Sequence, residues 1–330
     1  MSTHRIIFAD SRQMPEIADR SVHLVVTSPP YWCIKDYEHR GQIGYNQPYE
    51  AYLDDLTKVL AECHRVLCPG CRAVINIGDQ YLRATDHGRY RVQPIPADII
   101  TIGRKVGFDF MGNIIWEKIS TTKTTGGGQW MGSIYYPRDG HITYEHEYII
   151  LLRKKGQWPK PSKQQRDKSK LTPQQRSEWF RGVWKIAPER QEKHAAMFPV
   201  EVPRRLIKMY SFYGETVLDP FLGSGTTSFA AALEGRDSIG YEINQESRRL
   251  IEDRMGMQEP SLLEQPAVTL EYREVQGPST LREPMHTPGA SPVPVKTQTY
   301  KTKPGLSQTI EGEIMFHSKT KNTIEIEIQE

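Results

Sequence analysis

Apolar positions in the first 255 residues fall into short blocks that alternate between strand and helix spacing. Residues 5–9 (Arg-Ile-Ile-Phe-Ala) read as a buried strand ending at Asp10, and residues 22–27 (Val-His-Leu-Val-Val-Thr) as a second ending at Ser28-Pro29-Pro30. Prolines stop a strand and fix the direction of the chain leaving it. From 49 to 67, Tyr52, Leu53, Leu56, Val59, Leu60, Cys63 and Leu67 recur at helical spacing, and Pro69-Gly70 ends the run. Ala73–Ile77 reads as a strand, 94–107 as a helix closed by glycine, and Met111–Trp116 and Tyr148–Leu152 as two more strands. A helix near 200–212, the strand Thr216–Asp219, a helix from about 226 to 234 and the strand Ser238–Glu242 complete the series. This alternation predicts an α/β layered fold with a largely parallel sheet.

Two segments interrupt the pattern. Residues 119–141 are rich in Thr and Gly, and residues 153–193 hold 13 Lys/Arg against 4 Asp/Glu, with Trp158, Trp179, Phe180 and Trp184 interleaved. Beyond Met255 the composition shifts: residues 259–309 contain 8 of the 23 prolines and read as extended or disordered linker. Residues 313–328 alternate at period two about Lys319-Thr-Lys-Asn322, which predicts a terminal hairpin.

A length of 330 residues suits one large domain or two ordinary ones. The net charge is only +3, so any nucleic-acid surface must be a local patch such as 153–193. No apolar run approaches the ~18 residues of a membrane span. The N-terminal residues carry no signal-peptide pattern, and four cysteines do not make a disulfide scaffold, so a reducing cytoplasm fits.

Candidate chemistry lies at two strand ends. Val217-Leu-Asp-Pro-Phe-Leu-Gly-Ser-Gly-Thr-Thr227 runs from a buried strand through a glycine-rich turn into a helix, the arrangement by which doubly wound sheets hold nucleotides. Alone, Gly223-x-Gly225 is equally compatible with a structural turn. A phosphate loop is excluded because no Lys follows Gly225, and the missing third glycine disfavours a dinucleotide. The next strand ends in Glu242, 17 residues beyond Gly225, either accepting bonds from ribose hydroxyls or simply solvated. Thr27-Ser-Pro-Pro-Tyr-Trp32 could grip a planar ring, with Tyr31 as a stacking face and Ser28 and a proline carbonyl as acceptors. By itself it also reads as a strand-ending turn with its aromatics in the core.

Together the two segments resemble the amino-methylating DNA methyltransferases that use S-adenosylmethionine. Ser28-Pro29-Pro30-Tyr31 matches the family's catalytic tetrad, and Asp219-Pro-Phe-Leu-Gly-Ser-Gly-Thr-Thr227 its cofactor loop. The order, tetrad first, resembles the permuted beta group. Arg65–Val74, Trp116-Glu-Lys118, His146–Leu152 and Lys193–Pro199 match lesser segments, the last with Ala195 where the family more often has Pro. The resemblance covers about residues 5–255. It implies a class I methyltransferase (Rossmann-like) α/β fold, a mixed seven-stranded sheet with helices on both faces. Its parts would be a catalytic half at 1–152, a target-recognition insertion at 153–193, a cofactor half at 194–255, and the linker and hairpin at 256–330. It further implies that Asp219, Phe221, Gly223, Ser224, Gly225, Thr226 and Thr227 cradle the methionine part of the cofactor. Glu242 would take the ribose and Asp10 the adenine.

The implied activity is methyl transfer from S-adenosylmethionine to an exocyclic amine of a base flipped from duplex DNA. Ser28 and the Pro29 carbonyl would accept from the amine, and Tyr31 would stack on the base. Within the family a tetrad beginning with Ser usually accompanies cytosine N4, and one beginning with Asp or Asn adenine N6, so Ser28 favours N4-methylcytosine. Adenine N6 chemistry on the same scaffold, or a DNA-binding protein without catalysis, are the competing readings. Candidate DNA contacts are Lys160, Lys163, Arg166, Lys168, Lys170, Arg181 and Lys185 in the basic segment, whose four interleaved aromatics are placed to stack or wedge, and Lys123 and Arg138 in the Thr/Gly-rich one. Residues 33–48, after the tetrad, are placed to close over the base. A zinc site at Cys63, His64, Cys68 and Cys71 is disfavoured, since a second ligand pair is lacking. Double-stranded DNA is the implied partner and a cognate restriction endonuclease a functional one. Recognition sequence and oligomeric state stay open.

Overall fold

The structure, a computed structural model, describes residues 2–33, 36–37, 39–118, 138, 144–188, 199–256 and 268–274. In chain order the elements are β1 (Ser2–Phe8), β2 (Val22–Thr27), α1 (Tyr49–Val66), β3 (Leu67–Ile77), β4 (Gln80–Leu82), α2 (Ala84–His87), β5 (Arg91–Gln93), α3 (Ile95–Val106), β6 (Phe108–Lys118) and β7 (His146–Lys154). Then follow α4 (Lys163–Lys168), α5 (Pro173–Trp179), β8 (Val183–Ile186), α6 (Glu201–Tyr210), β9 (Thr216–Asp219), α7 (Thr226–Leu233), β10 (Asp237–Glu242), α8 (Arg248–Arg254) and β11 (Val268–Glu274). All belong to one compact unit, Met1–Ser279. The terminal hairpin expected at 313–328 lies outside the described residues.

The main sheet has the order β11-β1-β10-β9-β2-β3-β7-β6-β8. From β11 to β3 every pairing is parallel, β7 is antiparallel to both neighbours, and β8 runs parallel to β6. The sheet is therefore mixed, as expected, but carries nine strands among the described residues, with β8 and β11 added at its two edges. Both additions correct the sequence reading. Val268-Thr-Leu-Glu-Tyr-Arg-Glu274 lies in the proline-rich stretch that predicts linker, but it alternates apolar and polar residues and pairs with β1 from Ser2↔Val268 to Phe8↔Glu274. Likewise the segment expected as a recognition insertion ends in a sheet strand, with Trp116 opposite Trp184.

Apolar clusters cover both faces of the sheet. On one face α1 presents Tyr52, Leu56, Val59, Leu60, Cys63 and Val66, and α3 presents Ile95, Ile99 and Ile102, to Val25, Ala73, Ile75 and Ile77. On the other face α6 and α7 pack on Leu24, Val26, Val74 and Val217 with Trp179 and Trp184. Trp184 is 1 % and Trp179 6 % exposed. The Trp184 Nε1–H donates to Trp179 O (2.9 Å), and the Arg205 guanidinium lies over both rings. These two tryptophans hold β8 to the sheet and do not face nucleic acid, contrary to expectation; only Trp158 and Phe180 of the four aromatics are exposed.

Among the described residues no helix is long and apolar enough to cross a membrane, and no group of three His, Cys, Asp or Glu side chains is arranged to hold a metal. Cys63 is packed in the core, and the Cys68 thiol donates to Arg20 O (2.9 Å).

Candidate active site

Strands β1, β10, β9 and β2 are adjacent and parallel, so the segments leaving their carboxyl ends meet along one edge. This is where open α/β sheets place ligands. A cavity of about 240 Å³ opens there, lined by Asp10 after β1, Ser28-Pro29-Pro30-Tyr31 after β2, Phe221, Gly223, Ser224 and Thr226 after β9, and Glu242 at the end of β10. Two motifs far apart in the chain thus share one wall. Asp219, Gly225 and Thr227 stand behind it rather than on it.

Asp219 is the joint between the two motifs. Its buried carboxylate accepts from Thr27 Oγ1 (2.7 Å), from Thr227 Oγ1 (2.6 Å) and from the Phe221 amide (3.0 Å). One oxygen therefore ties the residue before the tetrad to the start of the glycine turn, and the other ties the first turn of α7. Burial pushes its carboxyl above the usual range, while the two threonines and the Phe221 amide oppose that shift. Gly223 (φ +56°) and Gly225 (φ +86°) lie in the left-handed region, where a side chain would be strained. A Cβ at Gly223 would meet no atom within 4 Å, so the backbone there is open to a ligand.

Glu242 caps the other side. Its carboxylate accepts from the Gly223 amide (2.8 Å) and the Asn244 amide (2.9 Å). Burial, against these hydrogen bonds, pushes its carboxyl up to about 7. Asp10 is clamped by Arg12, whose Nε–H bonds both carboxylate oxygens (3.0 and 2.8 Å). The same guanidinium bonds Asp55 of α1 (2.7 Å) and reaches Gly41 O (3.3 Å).

The segment after the tetrad also belongs to the site. Tyr37, Gly41, Gln42 and Ile43 line the cavity, as do Asn244 and Ser247 beyond β10. Asn244 Nδ2–H donates to Tyr37 O (3.3 Å), joining the two groups. Sequence reasoning singled out 33–48 only as a closing loop and missed Asn244 and Ser247; neither occupies a motif position, and only their place after β10 brings them to the wall.

The tetrad itself is anchored on both sides. Tyr52 Oη–H donates to Pro30 O (2.9 Å), and Trp32 Nε1–H donates to Gln47 O (2.7 Å), which puts Trp32 in the core and leaves Tyr31 as the aromatic of this pair on the cavity. The Tyr31 hydroxyl accepts from the Gly78 amide (2.8 Å), and the Glu147 side chain packs against the same glycine.

The basic segment divides. Ser169 Oγ accepts from the Tyr213 amide, Gln165 Nε2–H donates to Tyr213 O, and Lys168 Nζ lies 4.1 Å over the Tyr213 ring. Trp158 stacks on Phe212. Phe212 and Tyr213 precede β9, so Lys160, Lys163, Arg166, Lys168 and Lys170 are exposed along the amino-terminal edge of the sheet. They are separated from the tetrad by the length of a strand, roughly 15–20 Å. These five candidate DNA contacts thus stand at the edge opposite the tetrad. Lys185 lies at the carboxyl edge, paired with Glu117 (3.2 Å), and Arg181 just precedes β8. Lys123 is outside the described residues, and Arg138 is described only as an exposed turn residue.

A doubly wound sheet with a glycine turn, a carboxylate on the next strand and a polar tetrad on the neighbouring strand is the frame of a class I methyltransferase. The family model described as DNA methylase, covering N6 and N4 methyltransferases, matches residues 22–253, and the chain belongs to that family. It is 38% identical to the type II methyltransferase M.MjaI of Methanocaldococcus jannaschii over 287 residues, covering 78% of this chain and 93% of the relative. It is 36% identical to M.MthZI of Methanothermobacter thermautotrophicus, covering 77% of each. Among solved structures, TTHA0409 of Thermus thermophilus, described as a DNA modification methylase and complexed with S-adenosyl-L-methionine, shares 37% identity, with a TM-score of 0.67 over 83% of this chain and 99% of that one.

Proposed function

We propose that the protein methylates the exocyclic N4 of cytosine in duplex DNA at a specific site, with S-adenosylmethionine as methyl donor, as the modification half of a restriction–modification pair. The observation that carries this reading is the shared wall: Ser28, Pro29 and Tyr31 face the same cavity as Phe221, Gly223 and Glu242. The fit to the donor rests on its chemistry. A carboxylate at one end suits ribose hydroxyls, a second at Asp10 suits an adenine amine, and the open turn at Gly223 suits a close-lying methionine group. When bound, the donor supplies an activated methyl on a cationic sulfur.

The residues then have distinct tasks. A cytosine amine is a poor nucleophile because its lone pair is delocalised into the ring. Acceptors on both N–H bonds, Ser28 Oγ and the Pro29 carbonyl, favour the pyramidal nitrogen and free the lone pair. Holding that nitrogen at about 3–3.5 Å from the methyl supplies several kcal/mol by proximity. As the N–C bond forms and the S–C bond breaks, the nitrogen releases one N–H proton to solvent by way of its acceptors. Tyr31 supplies the stacking face for the flipped base. DNA approaches at the carboxyl edge, where Lys185 is exposed.

Mass spectrometry of nucleosides from unmethylated genomic DNA, incubated with the protein and isotope-labelled S-adenosylmethionine, tests the reading. Labelled N4-methylcytosine is the expected product. Labelled N6-methyladenine would retain the fold and site and overturn the role given to Ser28. No label in any base, with the donor bound, would overturn the activity.

The pH dependence of donor binding gives a separate check on Glu242. Ribose hydroxyls bond best to its ionised carboxylate, and in the unliganded protein that group holds its proton up to about pH 7. Donor affinity should therefore fall as pH drops below 7, by about tenfold per pH unit. Titration calorimetry should show this slope in the wild type and its absence in Glu242→Gln, whose affinity should be at least about tenfold lower at pH 8.

A further inference from the structure

The hydroxyl of Tyr31 does not end in solvent. It bonds the Gly78 amide beside Glu147, the second residue of β7, two strands away from β2 in the sheet; Glu147 Cγ and Tyr31 Oη lie 3.2 and 3.5 Å from where a Gly78 Cβ would stand. Glu147 is itself held: Asn76 Nδ2–H donates to it at 2.6 Å, and the Lys118 ammonium forms a close ion pair with it. Asn76 is a buried amide on an otherwise apolar stretch of β3, and its Oδ1 has no hydrogen-bond partner among the described residues. A fold optimised for stability alone would place an apolar residue there, since an unpaired buried acceptor is costly. Lys118 meanwhile lies over the Trp116 ring, 5.3 Å from its centroid, which fixes the ammonium. The ends of three strands, β3, β6 and β7, thus converge on one carboxylate, and that carboxylate stands beside the tyrosine of the tetrad.

We propose that Glu147 is a positioning residue that fixes the Tyr31 ring at the angle needed to receive the target base, with Lys118 and Asn76 holding the carboxylate in place. The inference rests on the proposed methyl transfer to a flipped base and goes beyond it by assigning a residue outside both motifs. A hydroxyl held at a backbone amide beside a fixed carboxylate pins the far end of the ring, so the side chain cannot swing about its Cα–Cβ bond. A ring so fixed presents one face to the cavity before DNA arrives, so the base is met by a prepared surface. Among the described residues, no hydrogen bond or ion pair joins this network to the methyl-donor side of the cavity at Asp10, Gly223 and Glu242.

A double-mutant cycle on the full-length protein tests the proposal. Initial rates with labelled S-adenosylmethionine and unmethylated genomic DNA are compared for wild type, Glu147→Ala, Tyr31→Phe and the double variant, with donor Kd measured in parallel. Tyr31→Phe keeps the stacking ring and removes the hydroxyl. Each single change should lower kcat about 10- to 30-fold with donor Kd within twofold of wild type. The double variant should be no more than about twofold slower than the slower single, because both remove the same contact. Glu147→Gln, which keeps an acceptor beside the hydroxyl, should recover at least about threefold of the loss. Glu147→Leu, closer in volume, carries the same expectation as alanine and replaces it where alanine fails to fold. Losses that multiply beyond 100-fold, or a Glu147→Ala rate within twofold of wild type, would overturn the positioning role while leaving the methyl-transfer reading intact. A wild type that labels no base would overturn both.

Discussion

Ser28→Ala should slow methyl transfer about 100- to 1,000-fold and leave affinity for S-adenosylmethionine within about threefold. The size follows from the task assigned to the hydroxyl. It is one of two acceptors for the target amine, and an acceptor lost where charge develops costs far more in a closed site than in water. The selectivity follows from geometry. Ser28 lies on the tetrad wall, whereas Glu242 and Gly223, the groups suited to the donor's ribose and methionine parts, belong to β10 and the turn after β9. Single-turnover kinetics with donor bound in advance, together with calorimetric donor binding, separate the two effects. A variant that turns over within threefold of wild type would remove Ser28 from the mechanism.

Asp219→Ala should have a larger effect on binding, weakening the donor at least about 100-fold and lowering fold stability by about 2–4 kcal/mol. Three buried donors lose their acceptor at once: the hydroxyls of Thr27 and Thr227 and the amide of Phe221. Each unsatisfied donor costs about 1–3 kcal/mol, but the hydroxyls can rotate toward other acceptors, so the sum stays below the simple total. A domain of ordinary stability, about 5–15 kcal/mol, survives this loss. Weak binding at a temperature where the variant is folded would therefore report the collapse of the turn, not unfolding. Asp219→Asn keeps the shape but turns one acceptor into a donor, and should fall between the two. Denaturant unfolding and calorimetry at 25 °C check both quantities. Unchanged donor binding in a folded Asp219→Ala would show that the turn holds without its anchor.

Much of the fold was legible in the chain because its determinants are local. Strand β2 and helix α1 follow from apolar spacing, and their ends from Ser28-Pro29-Pro30 and from the turn at Pro69-Gly70, where β3 is already under way. The reading erred where tertiary pairing outweighed composition. Val268–Glu274 was assigned to linker because prolines surround it, yet β1 offers it an unpaired edge, and Tyr272 stacks on Phe8. Trp179 and Trp184 were read as nucleic-acid contacts because lysines and arginines surround them. A tryptophan with a large apolar surface and one N–H is equally suited to a core, and here the core has it.

By itself the sequence determined the class of fold, the family, and the two motifs at strand ends, since each motif is a contiguous run whose residue types carry its chemistry. Only the tertiary structure decided which groups stand on the cavity wall and which behind it. It alone set five of the basic residues on the amino-terminal edge of the sheet and joined Glu147, Asn76 and Lys118 to Tyr31. The physical reason is that strand order and register are set by long-range pairing, and neither is written in the local period of a single strand. Thr27 and Asp219 are 192 residues apart in the chain and 2.7 Å apart in space.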